Sequence, residues 1–240
     1  MFRPSDRRRL LRGITRLTSY RSLVSMTRVF VEPLGALRRY VDSSHGTYPW
    51  RTHLRTPAGR IGVELPHSHD VRTVNEVFCR RDYGSGTPEV VVDIGANIGL
   101  ASLYFLSRNP DARVYACEPV ATNLERLRAN VAPFEDRVVI EERAVSPEGG
   151  RAEFLVEEVG RYSGLAAYYE HDLERRSVEV DTVSIADLLD RILSVEQRID
   201  LLKIDTEGSE PALVAAVRPD QWERIAEVRY EQDGEVRTRV

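Results

Sequence analysis

The residues best suited to chemistry fall in two short runs. The first is Asp93-Ile94-Gly95-Ala96-Asn97-Ile98-Gly99, which follows the apolar Val90-Val91-Val92. Gly95 can adopt backbone angles closed to other residues, and its missing side chain lets a ligand approach the main chain. Gly99 lets the next helix pack close to the strand, and Asn97 can stand in for glycine where a left-handed conformation is needed. Gly-x-Asn-x-Gly differs from the Gly-x-Gly-x-x-Gly of a dinucleotide turn, so it suits a nucleoside ligand without a pyrophosphate. Glu118, in Cys117-Glu118-Pro119, lies close to the roughly 20-residue spacing at which an acid accepts from ribose hydroxyls.

The second run is Ile199-Asp200-Leu201-Leu202-Lys203-Ile204-Asp205-Thr206-Glu207-Gly208-Ser209-Glu210. Alternation along a strand puts Lys203 and Asp205 on one face and Ile204 on the other. Lys203 is the chain's one lysine; every other basic residue is arginine. In an open parallel sheet, ligands bind beyond the carboxyl ends of the strands, where the strand order reverses. That rule brings Lys203, Asp205 and Glu207 towards the Gly95 turn. Asp205 and Glu207 are then candidate proton acceptors, with Lys203 orienting a carboxylate or a substrate oxygen. An ion pair of Lys203 with Asp205 or Glu207, fixing the strand-to-helix turn, accounts for the same residues. The dipole of the following helix also favours acids at Glu207 and Glu210.

A sheet must hold these runs, and the pattern supplies one. Strands are expected at Glu89–Ile94, Arg113–Cys117, from Arg137 to near Ala144, Ile199–Asp205 and Arg224–Glu231. Helices are expected at Ile98–Ser107, Ala121–Asn130, Ser184–Leu193 and Glu210–Val217. Such alternation means a mostly parallel α/β sheet with helices on both faces. Arg151–Val156 and Ser177–Val183 read as an inserted or edge hairpin. Upstream, residues 1–46 form a basic helical arm with Leu10, Ile14 and Leu17 at helical spacing, and 47–240 form the main domain. That domain opens with a β-hairpin, Arg51–Thr56 and Arg60–Leu65 around Pro57-Ala58-Gly59, and a short helix from Asp70 to Phe78 capped by Asp70 or Thr73. A Gly-Ser-Gly-Thr-Pro linker at 84–88 leads into the sheet.

Together these segments resemble the FkbM-type methyltransferases, S-adenosylmethionine (SAM)-dependent O-methyltransferases of polyketide, sugar and related hydroxyls. The resemblance is carried by Thr56-Pro57-x-Gly59, Asp70-x-x-Thr73-x-x-Glu76-x-Phe78, Asp93-Ile94-Gly95-Ala96-Asn97-Ile98-Gly99, Glu118-Pro119 and Asp200-Leu201-Leu202-Lys203-Ile204-Asp205-x-Glu207-Gly208-x-Glu210. It implies a class I methyltransferase (Rossmann-like) fold, with SAM contacts from Asp93, Gly95, Gly99 and Glu118. Asp93 is placed to accept from the methionine ammonium. Asn97, Pro119 and Asp205, within the same motifs, join that cofactor set, as does Ala144 at the end of the third strand, where a small apolar surface suits adenine. The expected catalytic set is Asp205, Glu207 and Lys203, and the expected acceptor is a small hydroxylated molecule.

Composition narrows the rest. A net charge of -4 leaves no basic footprint for nucleic acid, although the arginine-rich arm is compatible with an anionic membrane contact. Cys79 and Cys117 match no zinc spacing and are expected as buried free thiols in a reducing cytosol. His67 and His69 are expected to face solvent. Asp205 and Glu231, on neighbouring strands, are considered as a hard-cation pair, but no metal is expected. The strand at 224–231 is expected to end the sheet as an unpaired edge, as if the C-terminal strands were truncated, unless a second copy covers it. A dinucleotide oxidoreductase and a non-catalytic module that keeps the fold are the competing readings.

Overall fold

The computed structural model describes residues 17–156, 164–168, 176–232 and 235–239. Most of the expected arm's helical pattern, Leu10 and Ile14 included, therefore lies outside the described residues. The chain divides into two compact units, Met1–Gly84 and Ser85–Val240. The division falls at the Gly/Ser/Pro linker and not at residue 46, so the hairpin groups with the N-terminal helices.

In the first unit, α1 (Leu17–Val29) and α2 (Pro33–Val41) precede a hairpin of β1 (Trp50–Thr56) and β2 (Gly59–Leu65), paired in full register from Trp50↔Leu65 to Thr56↔Gly59. Gly59, at φ +109, makes the tight turn possible. Alternation buries Trp50, Thr52 and Leu54 on one strand and Ile61, Val63 and Leu65 on the other. Phe30 stacks on Trp50 with ring centroids 5.8 Å apart. The helix α3 (Asp70–Val74) runs on as a π-helical turn, Asn75–Arg80. Its N-cap is His69, not Asp70 or Thr73. The Asp70 carboxylate instead accepts from the His67 backbone N–H at 2.6 Å and lies 3.1 Å from His69 Nε2. The two imidazoles stack at 5.3 Å. His67 and His69 are thus half-buried, not solvent-facing, because each ring covers the other and Asp70 holds one of them.

The second unit contains β3 (Val90–Ile94), α4 (Leu100–Leu106), β4 (Arg113–Cys117), α5 (Ala121–Val131), β5 (Val138–Glu141), β6 (Ala144–Ser146), β7 (Gly150–Val156), β8 (Gly164–Leu165), β9 (Arg176–Ser184), α6 (Ile185–Leu193), β10 (Leu201–Ile204), α7 (Glu210–Ala216), α8 (Pro219–Trp222), β11 (Val228–Gln232) and β12 (Glu235–Arg239). The main sheet has the order β12-β11-β10-β3-β4-β5, parallel except for β12. From β3 the chain steps outward through β4 to β5, then returns to the other side of β3 as β10 and β11. The strand order therefore reverses between β3 and β10, which puts the ligand crevice at their carboxyl ends.

Val90, Val92 and Ile94 face a core shared with Leu188, Leu189 and Ile192 of α6 and Leu213 of α7. The alternate residues Val91 and Asp93 face the other side, where Ser102 of α4 reaches Asp93. Helix α6 begins at an N-cap, Ser184, whose hydroxyl accepts from Asp187 N–H at 3.0 Å.

Two expectations change. The third strand stops at Glu141, and Ala144 begins β6 of a second sheet ordered β6-β9-β7-β8. The Arg143 guanidinium doubles back on the Glu141 carboxylate at 2.7 and 2.9 Å, which breaks the strand there. The expected hairpin is present as β7 and β9, antiparallel from Gly150↔Thr182 to Val156↔Arg176. The strand near 224–231 is also not an unpaired edge. β11 is covered by β12 in an antiparallel register running from Val228↔Arg239 to Gln232↔Glu235. Among the described residues, no helix is long and apolar enough to cross a membrane.

Candidate cofactor and methyl-transfer site

At the carboxyl end of β3 the chain takes three left-handed residues in five: Gly95 at φ +76, Asn97 at φ +50 and Gly99 at φ +82. Asn97 therefore fills a left-handed position, as its type suggests. The two glycines serve close packing within the chain. A Cβ on Gly95 would lie 1.9 Å from the carbonyl oxygen of Asp205, so the exit of β10 packs directly against this main chain. A Cβ on Gly99 would lie 2.6 Å from Leu127 Cδ1, so this glycine admits α5 against the start of α4.

Four of the amides from Gly95 to Gly99 are already engaged. Gly95 N–H and Ala96 N–H both donate to the Cys117 carbonyl, at 3.1 and 3.0 Å. Asn97 N–H donates to Glu118 Oε2 at 2.9 Å, and Gly99 N–H donates to the Ala96 carbonyl at 2.8 Å. A pyrophosphate is bound through free amides at such a turn. Here Cys117 and Glu118, at the end of the second strand, have taken those of Gly95, Ala96 and Asn97.

Glu118 is buried at the end of β4. Besides Asn97, its carboxylate accepts from Val120 N–H at 3.0 Å and Asn123 Nδ2 at 3.2 Å. Burial pushes this carboxyl above its ordinary value, outweighing those three hydrogen bonds and the Lys203 charge, which pull it down. A carboxylate offers about four lone-pair sites, so Glu118 keeps acceptor capacity for a hydroxyl beside the turn. Pro119 is half-buried directly after it.

Lys203 and Asp93 are directly paired across the parallel strands β10 and β3. Lys203 Nζ lies 2.8 Å from Asp93 Oδ1 and 3.7 Å from Asp205 Oδ2, and donates to the carbonyls of Gly95 at 3.0 Å and Ile94 at 3.5 Å. Ser102 Oγ donates to Asp93 Oδ2 at 2.6 Å. Burial alone would push the Lys203 ammonium down, but the charges of Asp93 and Asp205 and the bond to Asp93 hold it above its ordinary value. A lysine so held is a fixed cation and not a base.

The partner of Lys203 is thus chiefly Asp93, with Asp205 farther off. Asp205 is half-buried at the strand exit, its side chain 26% exposed. Glu207 is half-buried and left-handed at φ +60. Glu210 ties the loop together, its carboxylate accepting from Thr206 N–H at 2.7 Å and Gly208 N–H at 2.8 Å. Its role is structural. Ala144 is buried with Phe154 and Leu165 in the second sheet's small core. Cys79 and Cys117 are both free and buried. Among the described residues, no three His, Cys, Asp or Glu side chains gather to hold a metal ion; the Glu231 side chain lies outside them.

Sequence reasoning missed Ser102, Asn123 and the cluster of Glu141 with Arg143 and Arg191. Arg191 meets Glu141 from 50 residues away, whereas Ser102, Asn123 and Arg143 bond nearby acids through side-chain contacts that no periodicity marks. The Glu141 carboxylate is bonded by both arginines, and Arg143 chiefly holds it down to about 2.

Residues 93–237, from Asp93 to within β12, match the methyltransferase FkbM domain model. The chain belongs to that family. Relatives agree with the assignment. The 31-O-demethyl-FK506 methyltransferase FkbM of Streptomyces tacrolimicus is 30% identical, over 73% of this chain and 79% of its own length. The AMB antimetabolite synthetase AmbE of Pseudomonas aeruginosa is 31% identical over 72% of this chain, but the match spans only 10% of AmbE. A methyltransferase from Geobacter sulfurreducens of known structure shares 15% identity, with a TM-score of 0.33 over 60% of this chain and 53% of its own. The FkbM match takes in the turn, Glu118, the Lys203 cluster and the second sheet, so the geometry above is that of a methyltransferase-family domain.

Proposed function

We propose that this FkbM domain transfers a methyl group from SAM to a hydroxyl of a small acceptor. The observation that carries the reading is the turn itself. The amides of Gly95, Ala96 and Asn97 are spent on Cys117 and Glu118, while the carboxylates of Asp93, Glu118 and Asp205 lie around the turn. Such a site is poor for a pyrophosphate and suited to a cationic donor with a ribose diol. In this reading Glu118 accepts from the ribose, and the residues Gly95, Asn97, Gly99 and Pro119 shape the surface on which the nucleoside rests.

Bound SAM supplies a methyl group already activated by its sulfonium. The chain's own work is then to hold the acceptor oxygen in line and to take its proton. Positioning alone can lower such a barrier substantially. Asp205 and Glu207, half-buried at the β10 exit, are the groups for the proton. Lys203, held as a cation among carboxylates, does not compete for it. The relative named for 31-O-demethyl-FK506 supports oxygen as the acceptor atom.

Calorimetry of the full chain with SAM, its demethylated product and NAD tests the reading. The expected result is binding of the first two, lost in Glu118→Ala, and none of NAD. Binding of NAD alone overturns it. Donor binding without transfer of labelled methyl to any hydroxylated extract would favour a binding module.

A further inference from the structure

A turn with three left-handed residues in five depends on its partners to hold one shape. On one side it is fastened by Glu118, through Asn97 N–H. In the proposed complex that carboxylate also receives the ribose, so the opposite side must be firm without it. There the fastening is a buried chain of three side chains, one from each element that frames the turn. Ser102 comes from the helix after it, Asp93 from the strand before it and Lys203 from the strand beside it. Lys203 Nζ completes the chain by donating to the carbonyl of Gly95, the first residue of the turn.

None of the three can meet an acceptor molecule. Ser102 and Asp93 are wholly buried, and the Lys203 side chain is 3% exposed. A buried ion pair is also a weak source of stability, since well-packed apolar residues in its place are often neutral or better. What it supplies is direction. The hydroxyl of Ser102 fixes one carboxylate oxygen, the other faces the ammonium, and the ammonium sets the peptide planes of Ile94 and Gly95.

We propose that Ser102 is a positioning residue for the methyl donor, acting through Asp93 and Lys203 to preorganise the Gly95–Gly99 turn. The proposal rests on the reading of this turn as the SAM site. It moves Lys203 from the acceptor side to the donor side, and removes Asp93 from direct contact with the cofactor.

The test is the affinity of the full chain for SAM, measured by calorimetry beside the ligand-free melting temperature. Ser102→Ala is expected to raise Kd about tenfold or more, the scale on which outer partners act on the groups they orient. Ser102→Thr, which keeps the hydroxyl, is expected to restore it. The double variant Asp93→Asn/Lys203→Met removes both buried charges together. It is expected to melt near the wild type yet bind SAM at least about tenfold more weakly. A double variant with wild-type Kd, or Ser102→Ala with unchanged Kd, overturns the proposal and leaves the chain a structural fastening. If Ser102→Ala does not fold, the double variant decides. A wild-type chain that binds no SAM sinks the reading of the site itself, a result separable from the others because no variant is needed to see it.

Discussion

Lys203 Nζ and Asp93 Oδ1 lie 2.8 Å apart at directly paired positions of neighbouring parallel strands, with both side chains closed to solvent. The pair sits where the strand order reverses, so one contact links the strand that enters the cofactor turn to the strand that leads to Asp205 and Glu207.

Breaking this pair from one side strands a charge. Lys203→Met is expected to destabilise the fold by about 3–5 kcal/mol, because Asp93 remains buried and uncompensated. Urea denaturation measures it. Adding Asp93→Asn should recover most of the loss, and a purely additive double variant would mean that the two groups do not interact.

In the proposed SAM complex, Glu118 is expected to give the donor affinity a pH dependence. Its folded carboxyl is raised above the ordinary 4.5 by burial, so it takes up a proton before an exposed glutamate would. Protonation removes acceptor capacity, so SAM affinity should fall as pH drops, with a midpoint above 4.5. Titrations with SAM across the acid range check this. Glu118→Gln should bind weakly at every pH and lose the dependence.

The turn's backbone separates two substitutions that look equally mild. Gly95→Ala forces a methyl to 1.9 Å from the Asp205 carbonyl at a positive φ, and is expected to cost at least about 2 kcal/mol. Asn97→Gly relieves a left-handed residue and should stay within about 1 kcal/mol of the wild type. Thermal melts of both variants decide it. A stable Gly95→Ala chain would mean that β10 does not press on the turn.

Glu141 should shape the acid limb of the stability profile. Its carboxyl is held down to about 2 by Arg143 and Arg191, from an ordinary 4.5. A depressed acid stabilises the fold above its unfolded pKa and loses that contribution as pH falls through the folded value. The window is therefore from about 4.5 down to about 2. Denaturation from pH 6 to pH 2 should show Glu141→Gln losing less stability than the wild type across it. Salt should shrink the difference, because both arginines are about half exposed.

The sequence by itself determined the strands and helices around the site. Val90–Ile94 is apolar but for Asp93, as suits a strand covered on both faces, and glycine or asparagine stands at each left-handed position of the turn that follows. Period-two alternation put Lys203 and Asp205 on one face, and the acid at 118 followed at nucleoside-binding distance. Those signals are local, so one sequence carries them. Tertiary structure decided who touches whom. Lys203 pairs chiefly with Asp93 because β10 lands beside β3 in a register that no local pattern specifies. Gly95 makes room for the Asp205 carbonyl, and Ser102 joins the cluster only because α4 packs over that strand pair. Ala144 joins a second core because β6 pairs with β9, and β12 closes an edge the alternation left open. Each of these depends on contacts between segments far apart in the chain, where the choice of partner is set by packing and not by residue type.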